Sequence, residues 1–194
     1  MEAPIIKDTP SSEVDQRQCY SKLLTSSKMA TTRTVGVAVD FSPTSKLALQ
    51  WALYNLIDKG DRLILINVQP PHSDHTSKQL FHDTGSPLVP LEELREMNLA
   101  KQYGIPRDAE VINILDTASK TKGAKIEAKV YWGDPKEKLC KAVDQLLLQS
   151  LVVGSRGFGP IKRVLLGSVS NHVVKNASCP VTVVKGSPSP TCRR

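Results

Sequence analysis

Aromatic residues and cysteines are both scarce in this sequence of 194 residues. Aromatic side chains make up 5% of the chain, and its apolar content comes mainly from Val, Ile, Leu and Ala. This composition favours buried parallel strands covered by helices over a β-sandwich. The four cysteines are scattered and include no Cys-x-x-Cys pair, so we expect reduced thiols in an intracellular protein.

Membrane-spanning and targeting segments are also missing from the pattern. No apolar run approaches the roughly 20 residues that a membrane span needs. The first residues lack the apolar stretch of a secretory signal, and their acidic residues argue against an organelle transit peptide. We therefore expect a cytoplasmic protein, with the nucleus or the membrane periphery as alternatives.

The net charge of +7 is not concentrated in one binding surface. Residues 1–33 contribute +1 and residues 185–194 contribute +3, so the central region carries only the remaining +3. It shows no basic stripe with interleaved aromatics, and we expect no specific nucleic-acid binding. Because both ends are polar and lack periodicity, we predict disordered segments at 1–33 and 186–194 around a domain at 34–185.

Strand and helix patterns alternate through this central region. Apolar runs predict strands at 34–40, 62–69, 150–154 and 180–184, and alternation of polar and apolar residues predicts one at 125–132. Helical spacing predicts helices at 43–60, 91–102, 109–122, 135–145 and 168–176. The order indicates an α/β fold with an open, doubly wound, five-stranded parallel sheet. Residues 70–90 form a Pro-rich insertion, which is either a functional lid or a surface loop.

The stretch from Gly154 to Ser168 carries the clearest chemical signal. Gly154 ends a strand, where the missing Cβ lets a ligand approach the backbone, and Gly157 permits a sharp turn. Gly167 and Ser168 precede a helix whose free N–H groups and dipole form an anion site. The strand–loop–helix context predicts a phosphate-binding loop. It is neither a Walker A loop, which needs Gly-Lys-Ser/Thr, nor the dinucleotide fingerprint, whose glycine spacing differs.

The spacing Gly154-x2-Gly157-x9-Gly167-Ser168 resembles the ATP-binding motif of the universal stress protein family. Further matches are Val37–Asp40 followed by Ser42, Trp51-Ala52, Gly133-Asp-Pro135 and the ending from His172 to Val184. The resemblance covers about residues 34–185 and is greatest with plant single-domain members. It implies an adenine nucleotide alpha hydrolase-like fold with strand order 3-2-1-4-5. Its ligand crevice would lie where the first and fourth strands end.

By this resemblance we expect the chain to bind ATP or AMP, with or without Mg²⁺, as a switch in stress response or signalling. Residues near Asp40 and Val68 would meet adenine and ribose, and the glycine loop would meet the phosphates. The expected nucleotide-binding residues are Val39, Asp40, Phe41, Ser42, Val68, Val153, Gly154, Arg156, Gly157, Gly167, Ser168, Val169 and Ser170. The resemblance also implies a homodimer through the last strand, residues 180–185, as an exposed edge.

Several alternatives stay open at this stage. The chain could be a weak ATPase, although no base, water-positioning glutamine or arginine finger is evident. It could also be a protein-interaction module, with signalling partners, whose nucleotide pocket is vestigial. The alternative role of Asp40 is purely structural, as a cap of the following helix.

Two further groups of residues suggest other chemistry. His72, His75 and His82 in the insertion are better explained as solvated loop residues than as zinc ligands, since no cysteine lies near them. Ser-Pro pairs at Ser42, Ser86, Ser187 and Ser189 could attract proline-directed kinases. For Ser42 the alternative is a helix cap.

Overall fold

The structure, a computed structural model, describes residues 32–70, 81, 83–96, 102–155 and 166–185. The predicted C-terminal tail, and all but residues 32 and 33 of the predicted N-terminal extension, lie outside these ranges. His72, His75 and His82 lie outside them as well. Among the described residues, no helix is long and apolar enough to cross a membrane.

Five helices and six strands are described. The strands are β1 (Thr34–Ala38), β2 (Arg62–Gln69), β3 (Val89–Pro90), β4 (Lys125–Trp132), β5 (Ser150–Ser155) and β6 (Val181–Lys185). The helices are α1 (Pro43–Asn55), α2 (Leu91–Leu94), α3 (Ala109–Lys122), α4 (Pro135–Gln145) and α5 (Ser168–Asn176).

The strands form one sheet in the order β3-β4-β2-β1-β5-β6. All the long strands run parallel, and they keep the predicted order 3-2-1-4-5, which confirms the fold class. The two-residue strand β3 pairs antiparallel with β4 and was not predicted. It lies in the Pro-rich insertion and is too short to leave a periodic pattern in the sequence.

Both faces of the sheet are covered, as a doubly wound fold requires. Because side chains of a strand alternate in direction, Leu63 and Leu65 of β2 enter one core and Ile64 and Ile66 enter the other. Helices α1 and α3 complete the first core, and helices α4 and α5 complete the second. This arrangement places the carboxyl ends of β1 and β5 side by side.

Helix boundaries follow local capping chemistry where it is strong. Helix α3 matches its predicted range because the Asp108 carboxylate accepts from two N–H groups of its first turn, and Gly123 ends it in a left-handed conformation with φ 58°. Helix α1 instead ends at Asn55, before the predicted stop at residue 60. There the chain turns to bury Ile57, whose N–H bonds the carbonyl of Ala52. Helix α2 covers only the start of the predicted 91–102, of which residues 97–101 are not described.

The second half of the insertion is fastened to the β4 edge of the sheet. Ser86 is 1% exposed, and its N–H donates to the carbonyl of Val130 at 2.8 Å. Its Oγ accepts from the N–H of Val130 at 2.9 Å, while Lys129 Nζ donates to its carbonyl. The described residues 83–90 are therefore a fixed edge cover rather than a loose loop. In this position the Ser86 hydroxyl is a structural group and is not accessible to a kinase.

Candidate functional site

A crevice opens at the point where β1 and β5 end side by side. It holds about 710 Å³, including its open mouth. The topology makes this the switch point of the sheet, because the chain leaves β1 towards β2 on one side and β5 lies on the other. The described residues that line it are Ala38, Val39, Asp40, Ser42, Thr44, Ser45, Ile66, Val68, Pro135, Leu139, Val153, Gly154, Gly167, Val169 and Ser170.

Three helices begin at this crevice. Residues at or next to the first turns of α1, α4 and α5 all contribute to its lining. Each helix N-terminus carries free N–H groups and about half a positive charge from the helix dipole. The three helix starts therefore contribute positive potential to the crevice, whose described lining residues include one carboxylate, Asp40, and no lysine or arginine. Such a surface suits an anion, and phosphate above all.

The start of α5 is the most open of the three. Its N-cap is Gly167, which has no side chain that could occupy the N–H groups of the first turn. At α1 and α4, by contrast, Ser42 and Asp134 accept from N–H groups of their own helices. The hydroxyl of Ser170 is directed back to the carbonyl of Gly167 at 3.0 Å, which fixes this turn. Among the described residues, no side chain caps the first turn of α5, which makes its N–H groups available to an external acceptor.

Asp40 and Ser42 form a compact turn at the opposite wall. The Asp40 carboxylate accepts from the Ser42 N–H at 3.1 Å and from its hydroxyl at 2.5 Å. Ser42 Oγ in turn accepts from the N–H of Ser45, so Ser42 is the helix cap, as predicted. Asp40 orients that cap and does not itself cap the helix.

Asn67 is a buried polar residue that the sequence reasoning missed. Its Nδ2 donates to the carbonyl of Val39 at 2.7 Å, and the N–H of Val39 donates to the carbonyl of Ile66. The backbone that leads into Asp40 is therefore held on both sides. A single amide within the apolar run of β2 was the available signal, because a buried polar group needs a partner.

Gly154 also has a packing role that the sequence did not predict. A Cβ at this position would lie 2.9 Å from the carbonyl oxygen of Thr44 and 3.2 Å from the N–H nitrogen of Ser45. Gly154 does line the crevice, but the missing side chain is what allows the first turn of α1 to pack against β5. The glycine thus brings two walls of the crevice together.

The other predicted site residues divide into three groups. Those found in the lining are Val39, Asp40, Ser42, Val68, Val153, Gly154, Gly167, Val169 and Ser170. Phe41 lies outside it: with φ 62° its backbone turns the ring towards the first core, beside a small cavity under α3. Ser168 is exposed at the first position of α5 and does not line the crevice. Arg156 and Gly157 lie outside the described residues.

Six lining residues were absent from the sequence-based set. They are Ala38, Thr44, Ser45, Ile66, Pro135 and Leu139. The Gly133-Asp-Pro135 motif, which opens α4, could have indicated the α4 wall. Thr44 and Ser45 depend on how closely α1 approaches β5, which the sequence pattern does not reveal.

The parallel sheet, its strand order and the crevice at its switch point define a doubly wound α/β protein. Sheets of this architecture bind ligands, nucleotides among them, at the switch point. A family profile described as the universal stress protein family matches residues 31–185. The chain belongs to this family. Universal stress protein PHOS32 of Arabidopsis thaliana is 33% identical over 163 residues, which cover 79% of this chain and 64% of that protein. Universal stress protein A-like protein of the same plant is 30% identical, over 74% of this chain and 79% of that protein.

Solved structures agree with the fold. A universal stress protein family protein from Arabidopsis thaliana, solved with AMP bound, is 26% identical and has a TM-score of 0.51, covering 83% of this chain and 97% of that one. Hypothetical protein MJ0577 is 25% identical with a TM-score of 0.56, covering 81% and 98%. The chain spans somewhat less than two thirds of the length of PHOS32 and of its relative PHOS34, at 64% and 62%.

Proposed function

We propose that the crevice binds an adenine nucleotide, ATP or AMP, and that the protein acts as a nucleotide-dependent switch. The observation that carries this proposal is the first turn of α5, which no side chain in the described ranges caps and which faces the crevice together with the starts of α1 and α4. A phosphate group supplies the acceptors that these N–H groups need. The related plant protein solved with AMP bound supports the same ligand class.

The two ends of the crevice differ in character, as a nucleotide site requires. Val39, Ile66 and Val68 give an apolar side suited to a flat base, while Gly167 and Ser170 lie at the start of α5. In this arrangement the phosphates lie at the helix starts, and Asp40 faces the sugar.

Binding is favoured over hydrolysis by the side chains that line the crevice. Among the described lining residues, Asp40 is the one ionisable group, and its carboxylate already accepts two hydrogen bonds from Ser42. A phosphoryl-transfer site also needs a group that orients the attacking water and a cation near the phosphates. We therefore propose a protein that holds its nucleotide. The stress or signalling pathway, the role of Mg²⁺ and the cytoplasmic location stay predictions.

Replacing Gly167 by valine tests the proposed site directly. The backbone of Gly167 has φ −57° and ψ 156°, which valine tolerates, so the substitution adds an isopropyl group at a residue that lines the crevice without backbone strain. We expect calorimetry to show saturable binding of ATP or AMP to the unaltered protein and at least a tenfold weaker affinity in Gly167→Val. Asn171→Ala, exposed on the same helix and outside the crevice, is the control. Unchanged affinity in Gly167→Val would place the nucleotide elsewhere.

We also propose that two copies associate through β6. Within the described ranges this strand is at the end of the sheet and pairs with β5 alone, whereas β3 and Ser86 cover the opposite edge. Helices α1 and α5 pack on β6 and leave Leu47 and Val174 41% and 45% exposed. An unpaired strand flanked by exposed apolar side chains is a ready surface for a second strand.

Replacing Val183 by proline tests pairing at the open edge of β6 separately from the pairing of β6 with β5. The N–H of Leu151 donates to the carbonyl of Pro180, and alternate groups of a parallel ladder bond the neighbour, so the Val183 N–H points to the open edge. Val183→Pro removes that donor, and Val183→Ala keeps it. We expect light scattering to show dimers for the unaltered protein and Val183→Ala, but monomers for Val183→Pro. Equal masses for all three would exclude β6 as the contact.

A further inference from the structure

Two cysteines from distant parts of the sequence lie on the same face of the sheet. Cys140 is in the middle of α4, and Cys179 is in the short connection between α5 and β6. Both are partly buried against the second core, and both are free thiols in this structure. The fold thus brings together two oxidisable side chains that the proposed nucleotide site does not use.

The two cysteines share a neighbour, Asp144, which places them in the same region of the fold. Asp144 lies one helical turn after Cys140, so the two side chains project from the same face of α4. The hydroxyl of Ser178 donates to Asp144 Oδ1 at 2.5 Å, and Cys179 is the next residue along the chain. The connection that carries Cys179 is therefore attached to the face of α4 that carries Cys140.

The electrostatics of the two thiols agree with this placement. Burial, and then the negative charge of Asp144, raise the pKa of Cys140. Burial and Asp144 also raise the pKa of Cys179, and the charge of a Cys140 thiolate raises it further. Each sulfur is thus within electrostatic range of the same carboxylate. Both thiols therefore stay largely protonated at neutral pH, which slows their oxidation. The pair stays reduced during brief exposure to an oxidant and is oxidised only by longer exposure.

We propose that Cys140 and Cys179 form an intramolecular disulfide when the protein encounters a hydroperoxide. One thiolate attacks a peroxide oxygen, which breaks the O–O bond, gives a sulfenic acid and releases an alcohol or water. The second thiol then attacks the sulfenic sulfur, forms the S–S bond and expels water. Two electrons pass from the sulfurs to the peroxide, and a dithiol reductant reverses the change by thiol–disulfide exchange.

A metal ion is a weaker explanation for the pair. No group of three His, Cys, Asp or Glu side chains within the described ranges is arranged to hold a metal. A soft metal would need more ligands than the two sulfurs supply. The arrangement therefore favours a bond between the two sulfurs.

The disulfide would join parts of the protein that border both proposed functional surfaces. Leu139, next to Cys140, lines the crevice, and Pro180, next to Cys179, leads directly into β6. The closed ring would contain roughly 40 residues, a loop length at which a disulfide removes considerable freedom from the unfolded chain. We therefore expect oxidation to stabilise the folded protein.

The test uses the full chain with Cys19 and Cys192 replaced by serine, so that only the two inferred partners remain. After treatment with hydrogen peroxide and digestion with trypsin, we expect mass spectrometry to find peptides 139–141 and 176–185 joined by a disulfide. The melting temperature should rise by about 5–10 °C, and dithiothreitol should reverse both changes. The same linked peptides should appear in the unaltered protein.

Cys140→Ser and Cys179→Ser in the same background are the matched controls. After peroxide treatment, each variant should melt at the same temperature as before treatment and give no linked peptide. Its remaining cysteine should be oxidised to sulfenic or sulfinic acid. The proposal is overturned if both sulfurs become sulfinic acids with no linked peptide. It is equally overturned if linkage occurs only between two chains, which non-reducing gels of dilute protein would reveal.

Discussion

Gly154→Ala is expected to lower the free energy of unfolding by about 2–3 kcal/mol, since it overpacks a tight contact. Nucleotide affinity is expected to fall at least tenfold. The new Cβ would meet backbone atoms of Thr44 and Ser45 at 2.9–3.2 Å, and backbone cannot turn aside as a flexible side chain can. The first turn of α1 must therefore move away from β5, which displaces one wall of the crevice. Denaturant unfolding and calorimetry with AMP measure the two effects.

Gly123→Ala is the control for this prediction. Gly123 has φ 58°, but a Cβ there meets nothing within 4 Å. The substitution therefore costs about 1 kcal/mol of backbone strain and should leave nucleotide affinity unchanged. If Gly154→Ala lowers nucleotide affinity no more than Gly123→Ala, the close packing of α1 on β5 does not shape the site.

Asp61→Ala should destabilise the fold by about 2–3 kcal/mol, because it removes one partner of a largely buried ion pair. Asp61 is 5% exposed and accepts from the Arg33 guanidinium at 2.6 Å and from the N–H of Asp58 at 2.9 Å. The expected cost is at the low end for buried pairs because the Arg33 side chain is 44% exposed and stays partly hydrated. Asp58→Ala is a matched control: its carboxylate also contacts Arg33, at 2.8 Å, but is 84% exposed and should contribute little.

The pH dependence of this effect has a definite sign. Burial by itself would raise the pKa of Asp61, but the hydrogen bonds from Arg33 and Asp58 outweigh it and hold the pKa below the usual 3.8. The stabilisation is therefore present above pH 3.8 and is lost as the pH falls through the lower folded-state value. Unfolding curves should show the largest difference between the unaltered protein and Asp61→Ala near neutral pH. A difference that grows below pH 3.8 would contradict the assigned ion pair.

The parts of the fold that local chemistry determines could be predicted from the sequence. Helix α3 has an Asp cap and a left-handed glycine, and β4 is a long strand with an alternating pattern between two turn signals, so both match their predicted ranges. Strand β3 and the anchored Ser86 could not be predicted in this way. They exist because the edge of β4 offers unpaired backbone groups, and this need arises only once the sheet is formed.

The candidate site shows the same division. Gly154, Gly167 and Asp40 could be placed at strand ends and helix starts, and the fold rule then brought them together. The direction of Phe41 could not be predicted, because a bulky residue with a positive φ is adopted only where surrounding packing requires it. Thr44 and Ser45 were missed because their position depends on the absence of a Cβ on a different strand.

The two edges of the sheet are unequal in the part of the chain that the structure describes, and this limits how copies can assemble. Stacking into a fibre requires each copy to offer one free edge to the copy before it and another to the copy after it. Here the β4 edge is occupied by the copy's own chain, and the β6 edge remains available. Pairing of β6 with β6 is self-complementary, so the first contact uses the available edge of both partners. We expect association to stop at two copies at any protein concentration.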